Sequence, residues 1–165
     1  KSLFKDKSIL ITGATGFFGV HCLERILRGS KPKKIVIYSR DELKQFKLSQ
    51  RFNESQFPVR FFLGDVRDRE RLIRACANID IIIHAAAMKQ VPAAEYNPTE
   101  CIATNINGAQ NIIDASIINE VEKVLALSTD KAANPINLYG ATKLCADKLF
   151  VAANNLVGKK KQGFL

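Results

Sequence analysis

Short apolar runs alternate with amphipathic stretches along the whole chain. Residues 8–12 read Ser-Ile-Leu-Ile-Thr and end at glycine. Residues 34–38, 59–63, 80–83 and 123–128 repeat the pattern of a short apolar run closed by polar or small residues. Such runs predict strands buried on both faces, the mark of a parallel sheet. Between them the period changes. Residues 18–28 place Leu23, Ile26 and Leu27 on one helical face, and residues 41–52 carry Leu43, Phe46 and Leu48 as apolar points. Asp68 is placed to cap a helix running through Cys76. A long helix is predicted over 98–118 and a last one over about 137–154. Repeated strand–helix units with right-handed crossovers predict an α/β fold. Its doubly wound parallel sheet is Rossmann-like, with five strands in the order 3-2-1-4-5.

Composition agrees with one folded unit. The 165 residues are 47% apolar and 25% charged, enough for a single domain with a sizeable core. Residues 1–157 read as that domain, and 158–165 as a basic tail without a convincing sixth strand. No apolar run approaches the roughly 20 residues of a membrane span, so no membrane partner is expected. The opening residues lack the apolar core of a signal peptide, although the chain starts at Lys1 rather than Met. Cys22, Cys76, Cys101 and Cys145 have no metal-site spacing. They read as reduced, mostly buried thiols of a cytoplasmic protein, with no metal site. The net charge of +9 raises the question of nucleic acid. The basic residues are dispersed instead of forming one stripe with aromatics, so nucleic acid is not an expected partner.

The candidate chemistry begins after the first strand. Thr12-Gly13-Ala14-Thr15-Gly16-Phe17-Phe18-Gly19 is a TGxxGxxG loop between a predicted strand and a predicted helix. Gly13 permits the tight turn, Gly16 lets backbone approach a pyrophosphate, and Gly19 lets the helix pack close to the sheet. The helix start offers unpaired N–H groups to phosphate. Thr15, Phe17 and Phe18 complete this part of a predicted cofactor site.

After the second strand the chain reads Tyr38-Ser39-Arg40-Asp41, with Lys44 one turn on. Arg40 suits a 2′-phosphate through its planar fork, which favours NADP over NAD. Asp41 reads either as a partner for a ribose hydroxyl or as a helix N-cap. Asp65, followed by Val66, reads either as an acceptor for the adenine amino group or as a loop aspartate. The small residues Ala85, Ala86 and Ala87 leave room for a cofactor ring, and His84 before them reads as a packed histidine.

Ser128-Thr129-Asp130-Lys131 closes the fifth strand, and Tyr139 and Lys143 form a YxxxK pair eight residues later. Four apart on a helix, they share a face. An ammonium beside a phenol favours the phenolate, a base able to take a hydroxyl proton while hydride leaves the same carbon.

The glycine loop, His84-Ala85-Ala86-Ala87, Thr104-Asn105 and YxxxK together resemble the extended short-chain dehydrogenase/reductases. Residues 127–137, 38–45 and 84–89 narrow the resemblance to inverting UDP-N-acetylglucosamine 4,6-dehydratases, which begin pseudaminic acid synthesis for flagellin glycosylation. The resemblance runs from residue 3 to about residue 156. Family members are about twice as long, so the chain reads as an N-terminal, cofactor-binding half that stops at a truncation point. Related membrane-bound dehydratases carry Met at the position of Tyr139. Dehydratases that retain configuration carry Glu at that of Lys131. The family commonly has His where this chain has Gln90.

The resemblance implies the following roles. Tyr139 takes the 4-hydroxyl proton, and Lys143 holds the cofactor ribose and tunes Tyr139. Thr129 bonds the 4-oxygen, Lys131 removes the C5 proton, and Asp130 protonates the departing 6-hydroxyl. Lys89 and Asn105 join Thr129 as substrate contacts, and UDP-N-acetylglucosamine is the expected substrate. The long helices from Pro98 and Asn137 are expected to pair in a homo-oligomer. Two alternatives remain: a nucleotide-sugar 4-epimerase or reductase of the same family, and a cofactor-binding fragment without turnover.

Overall fold

The computed structural model describes residues 3–157 and 162–165. Its strands and helices alternate. β1 (Ser8–Thr12), β2 (Lys34–Ser39), β3 (Val59–Leu63), β4 (Ile81–His84), β5 (Lys123–Ala126) and β6 (Gly163–Phe164) form one parallel sheet in the order 3-2-1-4-5-6. The helices are α1 (Phe17–Gly29), α2 (Glu42–Arg51), α3 (Arg69–Ala75), α4 (Val91–Tyr96), α5 (Pro98–Ile102), α6 (Gly108–Ile118) and α7 (Leu138–Val157).

Side chains alternate across a strand, and the core divides accordingly. Leu10, Val36, Tyr38, Ile82, Val124 and Phe164 point to one face, where they meet Leu72 of α3, Ile112 of α6 and Phe150 of α7. Ile9, Ile11, Ile35, Ile37, Ile81 and Ile83 point to the other, onto Leu23 and Ile26 of α1 and Leu48 of α2. Both faces are covered, so the central residues of β1, β2 and β4 are apolar. Burial of each large aliphatic contributes roughly 1.5–3 kcal/mol over exposure.

Four expectations need correction. First, the tail holds a sixth strand. Gly163 and Phe164 pair with Lys123 and Val124, and Asn154 of α7 brackets Phe164 by accepting from its N–H and donating to its carbonyl. Two residues after a lysine run carry no strand signal of their own, and the partner that holds them is distant in sequence. The rest of the expected basic tail, 158–161, lies outside the described residues. Second, the helix over 98–118 contains a π-helical turn, Ala103–Asn107, of the kind that often marks a functional site. Third, Leu43 and Phe46 of α2 are exposed, while Gln45 on the same helix is buried. Fourth, only Cys76 and Cys101 are buried. Cys22 is half-buried and Cys145 exposed, and all four are free thiols. Among the described residues no helix is long and apolar enough to cross a membrane.

Candidate active site

The carboxyl ends of β1, β2, β3 and β4 open into a cleft of about 600 Å³. Its floor is the glycine loop. Gly13 has φ +65°, and a Cβ there would lie 2.7 Å from the Ala86 nitrogen. Only glycine allows both the turn and this approach to β4. At Gly19 a Cβ would lie 2.4 Å from the Ala14 Cα, so α1 can close on the loop only because the side chain is absent. Gly16 caps α1 without a side-chain bond, which leaves the first-turn N–H groups of the helix for an anion.

Thr12, the first residue of the TGxxGxxG loop, ties it to the end of β4. Its hydroxyl oxygen accepts from the Ala85 and Ala86 N–H groups and lies 2.7 Å from His84 Nδ1. With two donors already on that oxygen, the Thr12 hydrogen goes to Nδ1, and the imidazole keeps its own hydrogen on Nε2. His84 is buried against Phe150. Burial, and then the Lys143 ammonium, push its pKa down to about 3. It is a neutral, packed side chain.

The polar rim of the cleft comes from the ends of β2 and β3. Ser39, Arg40, Asp41 and Lys44 line it, with Asp65, Val66, Gly64 and Tyr38 opposite. Asp41 is the α2 N-cap. One carboxylate oxygen accepts from the Lys44 N–H at 2.9 Å, and the other lies 3.4 Å from Lys44 Nζ. The backbone bond of Lys44 is the main cause that holds the Asp41 carboxyl below its ordinary range. Asp65 accepts from the Arg67 N–H and guanidinium, with Arg40 3.8 Å away. Burial raises its pKa and these partners lower it further, for a net decrease. The Asp65 carbonyl accepts from the Tyr38 hydroxyl at 2.9 Å. Ala85, Ala86, Ala87, Lys89, Gln90 and Thr104 make the far wall. Thr15 and Phe17 line the mouth, whereas Phe18 and Gly19 do not line the cleft.

The expected catalytic residues gather beside this cleft. Thr129 caps the single turn Asp130–Ala132, and α7 carries Tyr139 and Lys143. Gly140, between the two, brings turn and helix together. A Cβ there would lie 2.2 Å from the Lys131 carbonyl oxygen. The YGATK sequence contains this signal, but its partner is visible only in the fold.

Tyr139 and Lys143 are each 7% exposed and do not line the cleft as expected. Tyr139 clusters with Ala94 and Cys101, and Met88, Val91 and Leu138 pack against that group. The segment after β4 thus forms the cleft wall in front of them. Lys143 Nζ donates to the Leu127 carbonyl at 2.6 Å, and burial lowers its pKa.

Asn105 also departs from its expected role as a substrate contact. It is 2% exposed. Its amide donates to the Met88 carbonyl and Thr142 Oγ1, and its carbonyl accepts from the Met88 N–H. The π-turn thereby clamps the segment before Lys89 to α7, and Thr104 faces the cleft in its place. Asp130 and Lys131 are exposed and paired at 3.4 Å. A hydrogen bond from Thr129, and then Lys131, hold the Asp130 carboxyl below its ordinary range.

The sheet order and the glycine loop define the class, a Rossmann-like dinucleotide-binding fold. Within it the chain belongs to the polysaccharide biosynthesis protein family, whose family model matches residues 9–165. The chain is 62% identical over 162 residues to an inverting UDP-N-acetylglucosamine 4,6-dehydratase of Campylobacter jejuni, covering 98% of the chain and 48% of that protein. It is 43% identical over 165 residues to a UDP-glucose 4-epimerase of Rickettsia bellii, with 98% and 48% covered. The X-ray structure of Pen from Bacillus thuringiensis superposes with a TM-score of 0.94 at 42% identity, over 99% of this chain and 51% of that one. The chain spans about half the length of the curated relatives it matches.

Proposed function

We propose that this chain supplies the cofactor-binding, proton-handling half of an NADP-dependent nucleotide-sugar 4,6-dehydratase, a lyase that acts on UDP-N-acetylglucosamine with inversion at C5. The observation that carries the reading is the contact at Gly140, which seats the Thr129–Lys131 turn on the Tyr139–Lys143 helix. The 62% identity to the Campylobacter dehydratase supports the substrate.

The cleft fits a dinucleotide. Unpaired N–H groups at the α1 start suit a pyrophosphate, and Ser39, Arg40 and Lys44 suit a 2′-phosphate. Bound NADP supplies a hydride acceptor for C4 of the sugar and the same hydride again for C6, so net redox is zero.

The residues of the chain handle the protons. Tyr139 takes the 4-hydroxyl proton, Lys143 steadies the cofactor ribose, and Thr129 donates to the 4-oxygen. The ketone acidifies C5, Lys131 removes that proton, and Asp130 protonates the 6-hydroxyl as water leaves. Free Asp130 and Lys131 stand in the opposite charge states, as an exposed ion pair. Their roles therefore require substrate to part the ion pair.

The same reading makes the protein a cytoplasmic homo-oligomer that feeds flagellin glycosylation through pseudaminic acid. Ile102 and Ile118, exposed on the helices expected to pair, support the oligomer. The epimerase alternative rests on the Rickettsia relative and needs no base at C5. The discriminating test is exchange of the substrate C5 proton with heavy water. Dehydratase action exchanges it, and Lys131→Ala reduces the exchange by roughly 10²-fold or more, the scale of one general base. Undiminished exchange in that variant contradicts the base assignment.

A further inference from the structure

Gln45 is a buried polar side chain, 5% exposed, on the inner face of α2. Its Nε2 lies 2.9 Å from the Phe62 carbonyl oxygen and 3.1 Å from both the carbonyl oxygen and Oγ of Ser39. The two carbonyls set the orientation of the amide, since the reverse would put its oxygen against two acceptors. An amide nitrogen donates and does not accept. The Ser39 hydroxyl therefore cannot point its hydrogen at Gln45. It can only receive from Gln45, through the hydrogen it shares with the Ser39 carbonyl, and its own hydrogen is left for the cleft that Ser39 lines.

The same bonds fix the backbone. Ser39 is the last residue of β2, and its carbonyl also accepts from the Gly64 N–H at 3.0 Å. Gln45 thus joins the ends of β2 and β3 to the first turns of α2. The enclosed loop carries Arg40, Asp41 and Lys44, and the Asp41 cap ties its other side.

We propose that Gln45 is a positioning residue for cofactor choice: it makes Ser39 a fixed hydroxyl donor beside Arg40 and Lys44, a set matched to the phosphate monoester on the adenosine ribose. This rests on the NADP reading above. A phosphate dianion offers only acceptors, so a hydroxyl whose hydrogen is directed into the cleft forms a charge-assisted bond with it. A free ribose hydroxyl accepts the same hydrogen as a neutral partner, and that bond is worth less.

Gln45→Met keeps the length of the side chain and removes the amide. Calorimetric titration of the 165-residue chain with NADP⁺ and NAD⁺ separately reads the effect. Wild type binds NADP⁺ more tightly. Gln45→Met loses about ten-fold or more for NADP⁺, the scale of one hydrogen bond to a charged group, while NAD⁺ affinity stays within about two-fold. Ser39→Ala also shows a selective loss for NADP⁺, and the double variant is no worse than Gln45→Met alone, because the Ser39 donor acts through Gln45.

An unchanged NADP⁺/NAD⁺ ratio in Gln45→Met, equal losses for both cofactors, or losses that add in the double variant would each overturn the inference. If Gln45→Met does not fold, Ser39→Ala decides, and an unaltered ratio there overturns it. Wild type that prefers NAD⁺, or binds neither cofactor, contradicts the NADP reading itself before any variant is made.

Discussion

His84 shows how a polar residue at the carboxyl end of a strand can serve packing. Its Nδ1 is committed to Thr12, its ring lies on Phe150, and it is 4% exposed. The cost of charging it there appears as pH-dependent stability. Its pKa is about 3 when folded and near 6.5 when unfolded. Below that unfolded value the unfolded chain binds the extra proton, so stability is full above about pH 6.5 and falls as pH drops toward 3. Urea unfolding is expected to give a chain about 2 kcal/mol less stable at pH 5 than at pH 7 from this group alone, with the slope lost in His84→Gln. The depressed carboxyls of Asp41, Asp65 and Asp130 act mainly below about pH 5, so a slope between pH 5 and 7 that persists in the variant contradicts the assignment. The packed role of His84 was legible in the sequence, because a lone histidine after an apolar strand has few other partners. The commitments of Asn105 were not, since Met88 and Thr142 reach it only through the fold.

At the scale of elements, glycines decide how closely the parts of the site approach. Gly13 and Gly19 announced themselves through the loop pattern, because a strand–glycine–helix order is local. Gly140 did not, because the carbonyl it accommodates belongs to a turn that only the fold brings against α7. Gly140→Ala sets a Cβ 2.2 Å from the Lys131 oxygen and 3.1 Å from Pro135 Cβ, so the turn must move. The expected cost is about 1–3 kcal/mol in thermal or urea unfolding. Equal stability in the variant would show that the turn yields freely and does not locate Asp130 and Lys131. The same distinction explains α2. Its cap at Asp41 was readable as a motif, but its apolar pattern suggested burial of Leu43 and Phe46, and the fold buries Gln45 with Leu48 instead. Tertiary hydrogen bonds to β2 and β3 outweigh the apolar pattern there.

At the scale of the molecule, strand order was legible because buried parallel strands with intervening helices admit few topologies. The sixth strand was not, because two residues contribute a pairing that Asn154 and β5 provide for them. The sheet places the cleft over β1 to β4 and the Thr129–Lys131 turn after β5. The proposed reaction requires cleft and turn to reach one sugar carbon, and the exposed Lys89 lines the cleft. Proton NMR of UDP-N-acetylglucosamine with NADP⁺ in heavy water tests this most directly. It is run on the 165-residue chain and on the chain extended to the length of its Campylobacter relative. The extended protein is expected to give a new methyl signal, deuterium at C5 and inverted ring couplings. Conversion to the 4-epimer by the extended protein, with no methyl signal and the C5 proton intact, would contradict the account.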